Sequence, residues 1–213
     1  MDFLNIVEWS TIIFTILMMM SGIPPCIAMY KTKDTKHIPF FFFLICLMNS
    51  MIGLYYGSLI DNGMLKMLNF VGTSLWATYI FVYILVSKVK SEPVSKVTGM
   101  FALFLSHVVY LVYIVQQHDE IVARLGSMLF LWTIVLVCLP AMEIVEVVRR
   151  KSSEGVSLSL LMGGLMCSFV WLLYGYMLND FNIYAPNIPG VIINVTRLVL
   201  LITYGDGAKS KVE

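Results

Sequence analysis

The chain has 213 residues, 59% of them hydrophobic, with a mean hydropathy of +0.86 and a formal net charge of +1. Only 13% of residues are charged, against about 25% in soluble domains, which excludes an ordinary water-soluble globule and indicates spans in a lipid bilayer. So even a charge balance gives no field for a polyanion, and nucleic acid is excluded as a partner.

The N-terminal segment carries Asp2 and Glu8 and no Lys or Arg before Lys31. It lacks the basic start of a signal peptide, so the first apolar run is expected to be a retained span. Seven apolar runs then follow, at about 9–30, 38–58, 67–86, 97–115, 125–145, 157–178 and 184–204. Each holds about 20 residues, enough for a helix to cross about 30 Å of hydrocarbon. None alternates apolar with polar residues as a barrel strand would, so the expected fold is an all-α membrane protein with seven transmembrane helices.

The connectors alternate in charge. Lys31, Lys33 and Lys36 lie after run 1, Lys88, Lys90 and Lys96 after run 3, Arg149, Arg150 and Lys151 after run 5, and Lys209 and Lys211 after run 7. The opposite side has only Lys66 and Arg124. The positive-inside rule then places the N-terminus outside or in a lumen and the C-terminus in the cytosol. The plasma membrane is the expected location, with the Golgi or another endomembrane as the alternative.

The chain also repeats itself at an offset of 118 positions. Lys33 pairs with Lys151, Met48 with Met166, Ser50 with Ser168, Tyr56-Gly57 with Tyr174-Gly175, Asn69 with Asn187, Gly72 with Gly190 and Thr78 with Thr196. Each copy holds three spans, and span 4 has no partner. One extra crossing makes two three-span copies parallel, so the expected architecture is 3+1+3 around a pseudo-two-fold axis along the membrane normal. The divisions are residues 1–90 for the first copy, 91–120 for the linker span, and 121–213 for the second copy with a short tail. A site on the axis would lie between spans 3 and 7, which carry Asn69 and Asn187.

With K-x-[ST] in the first and third basic loops, Tyr-Gly closing spans 2 and 6, and N-x-x-G in spans 3 and 7, the chain resembles the SWEET family of eukaryotic sugar transporters. The resemblance implies bidirectional, facilitative transport of mono- or disaccharides by alternating access. It implies that Asn69 and Asn187 face the sugar and that Trp171, four residues before the span-6 Gly, stacks on it. The counterpart of Trp171 is Gly53, where the family carries Ser or Trp, which implies a wider pocket on that side. Of the family's four hinge prolines, the span-5 position is filled by Pro140. The span-1 position falls on Gly22, with Pro24 and Pro25 beside it. The span-2 position falls on Phe42, with Pro39 one turn earlier, and the span-6 position on Leu160 has no nearby proline.

The residue types suit a sugar. An Asn amide both donates and accepts hydrogen bonds, and a Trp ring offers a flat apolar face. The competing reading of the two Asn is interhelical hydrogen bonding, common for polar residues in membranes; their identical repeat positions favour a site. Trp171 alone could be a packing or interface residue, but beside the Asn pair and the Tyr-Gly motif stacking is favoured, and Ser50 and Asn194 are further pocket candidates. Gly72 and Gly190 suit close helix approach, and Pro189 would bend span 7. Arg197, a basic residue within a span, is either functional or, as expected here, paired with Glu143 or Glu146 or extended to the interface. His107 is expected to be a packed neutral imidazole. Asn194-Val195-Thr196 matches a glycosylation pattern but lies inside span 7 and should be unmodified.

Cys26, Cys46, Cys138 and Cys167 sit in apolar runs without C-x-x-C spacing, so they are expected to be free, buried thiols and not a zinc site. No cofactor and no enzymatic constellation is expected. No carboxylate lies level with the Asn pair, which disfavours ion-coupled transport. The expected partners are a small neutral sugar and the bilayer, and a homo-oligomer stays open. Other seven-span classes fit less well. A G-protein-coupled receptor would not repeat internally and would show D-R-Y and N-P-x-x-Y, and a retinal protein needs a span-7 Lys. A transport-inactive relative, or a carrier of another small neutral solute, remains as the alternative.

Overall fold

The computed structural model describes residues 3–36, 38, 40–153, 156 and 158–205. Pro39, Lys209 and Lys211 lie outside the described residues. Among the described residues seven segments are long and apolar enough to cross a membrane: Phe3–Thr32, Phe40–Leu59, Gly63–Val86, Ser91–Val115, His118–Arg150, Leu158–Met177 and Phe181–Tyr204.

Three of these spans are built from two helices each. Span 1 consists of α1 (Phe3–Met20) and α2 (Ile23–Thr32), and span 5 of α6 (His118–Cys138) and α7 (Ala141–Arg150). Spans 2, 3 and 6 are single helices, α3 (Phe40–Leu59), α4 (Gly63–Val86) and α8 (Leu158–Met177). Span 4 is α5 (Ser91–Val109) continued by a π-helical segment, Tyr110–Val115. Span 7 is α9 (Phe181–Tyr184) followed by α10 (Asn187–Tyr204).

The 118-residue offset holds at the level of helix ends. Adding it to the bounds of α2 gives those of α7, adding it to α3 gives α8, and adding it to α4 gives the start of α9 and the end of α10. Backbone conformations repeat too. Lys33 (φ 55) and Lys151 (φ 51) close α2 and α7 in the left-handed conformation, their N–H groups donating to Met29 O and Val147 O. Asp61 (φ 51) and Asn179 (φ 54), also one offset apart, make the turns after α3 and α8. Short polar side chains tolerate that conformation because they bond locally to the backbone.

Proline explains the breaks. Pro140 precedes α7, where its missing N–H and its ring stop the incoming helix. Its equivalent is Gly22, before α2, with Pro24 and Pro25 in the first turn, where a helix needs no N–H donors. In span 7 the break lies at Pro186, between α9 and α10. Pro189 does not bend the span as expected; it sits in the first turn of α10, where an absent donor costs nothing.

The chain divides into two compact units, Met19–Trp132, and Met1–Met18 with Thr133–Glu213. In the first, α4 packs along α3, with α2 against α4 and α5 against α3. Leu44, Ile45, Met48, Ile52 and Leu68 form its buried centre. An aromatic cluster extends it, with the Trp76 and Tyr79 rings 5.5 Å apart and edge-to-face, and Phe43 against both. In the second unit α10 packs on α8, α9 on α8 and α7 on α10. The α1 hydroxyl of Thr11 donates to Val7 O (2.8 Å) and contacts Val170 O of α8 (3.4 Å).

Other expectations need adjustment. Cys26 and Cys46 are buried and free, whereas Cys138 and Cys167, also free, are only half-buried. His107 is half-exposed, with Nδ1 2.7 Å from Leu103 O of its own helix. Span 4 is almost unburied, and its exposed Phe101, Leu105 and Ile114 present the apolar surface that acyl chains require.

The Tyr-Gly motifs have a packing cause. A Cβ on Gly175 would lie 2.6 Å from the Tyr184 backbone N, and one on Gly57 would lie 2.8 Å from Leu65 Cβ and 3.1 Å from Lys66 N. The turn into the next helix therefore passes directly over the glycine. Gly175→Ala is expected to lower the thermal midpoint of the detergent-solubilised chain, because backbone must move. Gly99→Ala, where a Cβ meets nothing within 4 Å, is expected to raise stability by roughly 0.5–1 kcal/mol through helix propensity. A melt monitored by size-exclusion chromatography separates the two.

Candidate functional site

Asn69 and Asn187 are held alike. Asn69 Nδ2 donates to Leu65 O at 2.9 Å, and Asn187 Nδ2 donates to Ile183 O at 2.8 Å, and these two carbonyls are themselves one offset apart. Asn187 is buried and Asn69 half-buried. Each amide thus spends one N–H on its own span and keeps a carbonyl oxygen and a second N–H without a partner among the described residues. That is the donor-plus-acceptor pair a hydroxyl needs.

In the Met19–Trp132 unit, Ser50, Gly53, Asn69 and Gly72 lie together on the α3–α4 contact. A Cβ on Gly53 would fall 2.6 Å from Asn69 Oδ1, and one on Gly72 would fall 2.8 Å from Ser50 Oγ. Gly53 therefore does not leave open room as expected: the Asn69 amide occupies it. In the other unit Ser168 and Gly190 repeat the second contact at 2.9 Å. Trp171, at the repeat position of Gly53, is half-buried. Its Nε1 donates to Thr15 Oγ1 at 2.8 Å, and its ring lies edge-to-face on Tyr174 with centroids 6.1 Å apart. The ring is therefore pinned at its edge. Thr15, a hydroxyl in the apolar first span, was not singled out from sequence; its signal was polarity in an otherwise oily run.

Asn194 does not sit free in a pocket. It is buried, donates Nδ2 to Gly190 O at 2.9 Å, and accepts from Arg197 Nη1 at 3.0 Å on Oδ1. Arg197 also grips Glu143: Nη2 lies 2.9 Å from both carboxylate oxygens and Nε 3.2 Å from Oε1. Glu146, the other expected partner, pairs with Arg150 on its own helix. The Arg197 side chain is 10% exposed and that of Glu143 35%. Because Glu143 is in the first turn of α7, this ion pair ties α10 to the half-span beyond Pro140. The repeat equivalent of Arg197 is Tyr79, whose hydroxyl donates to Met19 O at 3.0 Å, just before the break in span 1. Both copies thus anchor the broken span to the third span of the copy, once through an ion pair and once through a neutral hydrogen bond.

Seven spans, with three-span helix bounds recurring at one offset, define an integral multi-pass membrane protein of the repeat-built transporter type. Residues 5–91 and 123–209 each match the family described as sugar efflux transporters for intercellular exchange. The zebrafish (Danio rerio) sugar transporter SWEET1 is 29% identical over 205 residues, covering 96% of this chain and 94% of that one. Mouse (Mus musculus) SWEET1 is 30% identical over 193 residues, covering 91% and 87%. A eukaryotic SWEET transporter structure superposes with a TM-score of 0.83 at 23% identity, covering 94% of this chain and 96% of that chain. The chain belongs to the SWEET family of sugar transporters.

Proposed function

We propose that the chain moves mono- or disaccharides in either direction, without energy coupling, by alternating access. The observation that carries this reading is the matched pair Asn69 and Asn187, each with one amide N–H tied four residues back and a donor and an acceptor left over. In this reading the two amides hold one neutral sugar together, and Trp171 lies against its apolar face. Ser50 and Gly53 shape the Asn69 side, and Asn194 positions Arg197. The broken spans at Gly22, with Pro24 and Pro25, and at Pro140 supply the hinges. Residues 1–90 and 121–213 act as the two three-span copies, joined by a linker at 91–120. The protein is a carrier and not an enzyme, and needs no cofactor.

Uncoupled transport follows from the charges. Glu143, a carboxylate within span 5, is committed to Arg197, which takes it out of any proton relay. Radiolabelled sugars offered to liposomes containing the pure protein should equilibrate to equal concentrations inside and out. Accumulation above the external level under a proton or sodium gradient would sink the reading.

We infer a plasma-membrane location, with the N-terminus outside and the C-terminus in the cytosol, from the loop charges. Epitope tags at each end, probed on intact cells, should stain only at the N-terminus. Staining of the C-terminal tag before permeabilisation would reverse the orientation.

A further inference from the structure

Away from the Asn residues, the Met19–Trp132 unit holds a cavity of about 260 Å³ where the end of α2, the start of α3, the end of α4 and the start of α5 converge. Its wall includes Phe40 and Tyr83, whose rings lie 4.4 Å apart, together with Ser87 and Pro93. Around it stand Lys33, Lys36, Lys88 and Lys96, with Asp34 and Glu92.

The two acids leave half of this charge uncompensated. Glu92 is taken by Lys96 at 2.6 Å. Asp34 turns back on its loop, accepting the Lys36 backbone N–H at 2.9 Å on Oδ1. Lys33 lies 3.8 Å above the Tyr30 ring. Among the described residues Lys36 and Lys88 meet no carboxylate. Four lysines against two acids leave a net +2 in one small cavity. The helix α5 adds to that field, because its N-terminus has no side-chain cap and its first-turn residues Glu92 and Pro93 line the wall.

We propose that this cavity binds the phosphomonoester headgroup of an anionic phospholipid. A phosphomonoester carries about −1.5 to −2 charges, which matches the net +2, and offers three acceptor oxygens. The lipid source follows from position. The cavity lies where spans end, and Val89 and Val94 beside it are 64% and 43% exposed. An acyl chain has apolar surface to follow, and basic pockets at the cytosolic ends of spans suit such headgroups. The site is independent of the sugar reading and rests on the proposed orientation, which puts these span ends in the cytosol.

The test uses the full chain in detergent, titrated with dioctanoyl phosphatidylinositol 4-phosphate and followed by intrinsic tryptophan fluorescence. Saturable binding is expected. It should weaken at least tenfold in Lys36→Ala/Lys88→Ala, whose residues are exposed, and by less than twofold in Lys90→Ala, a lysine of the same loop that does not line the cavity. Dioctanoyl phosphatidylinositol, which lacks the monoester, should bind at least tenfold more weakly. The deacylated headgroup, glycerophosphoinositol 4-phosphate, should also bind more weakly; equal affinity would assign the site to a soluble phosphate ester and overturn the lipid. Absence of saturable binding, or equal losses in Lys90→Ala and the double variant, would overturn the site itself.

Discussion

Asn69→Ala and Asn187→Ala are each expected to weaken sugar affinity by roughly 5- to 150-fold, because each strands a sugar hydroxyl in a partly dry pocket at about 1–3 kcal/mol. The local geometry makes the reading clean. Each amide uses only one N–H on its own span, at 2.9 Å and 2.8 Å, so truncation removes little from the fold. If both amides hold one molecule, the double variant should lose less than the sum of the two single losses. The measurement is a double-mutant cycle of equilibrium sugar affinity on protein of normal elution profile. Parent-like affinity in both single variants would reduce the pair to helix contacts.

Arg197→Met should be the most damaging single change for stability. Removing one partner of a buried ion pair costs about 3–5 kcal/mol, since it leaves the other charge unpaired. Glu143, with its side chain 35% exposed, recovers part of this through water, which puts the expected loss near the lower end or below it. Glu143→Leu added to Arg197→Met should restore most of the thermal midpoint, because a paired apolar replacement strands no charge. Arg197→Lys should rescue incompletely, as an ammonium cannot bridge both carboxylate oxygens and Asn194 with one planar fork. Equal midpoints for Arg197→Met and the double variant would show that Glu143 is not what the arginine neutralises.

The repeat was legible in the sequence because polar and small residues in oily runs are sparse, so a few coincidences at one offset suffice to align two copies. Asn69 and Asn187 emerged that way, and their matching bonds follow from helix geometry at that offset. The partner of Arg197 was not legible. Glu143 and Glu146 are three residues apart on one helix face, and which of them Arg197 meets depends on how α7 packs on α10. Nor could the sequence tell that Pro186, and not Pro189, breaks span 7, since that depends on where the helix restarts. At Gly53 the missing side chain was visible, but not that the Asn69 amide would fill its place. The π-helical end of span 4 has no sequence signal in Tyr110–Val115, a run of ordinary helix and strand formers.

The broken spans bear on bilayer thickness. Spans 1 and 5 hold 30 and 33 residues, about 45–50 Å of helix at 1.5 Å per residue. The unbroken α3 and α8 hold 20 each, about 30 Å, close to the depth of hydrocarbon. These two match that depth, while α2 and α7, ten residues each, are the length beyond the breaks at Gly22 and Pro140. Bilayers differ in depth, from about 27 Å in the endoplasmic reticulum to about 32–33 Å at the cell surface, and a long span meets a thinner film by tilting or kinking. A rigid span of that length would have to tilt or distort the lipid, whereas a span with a break in it offers a joint at which such a mismatch can be taken up.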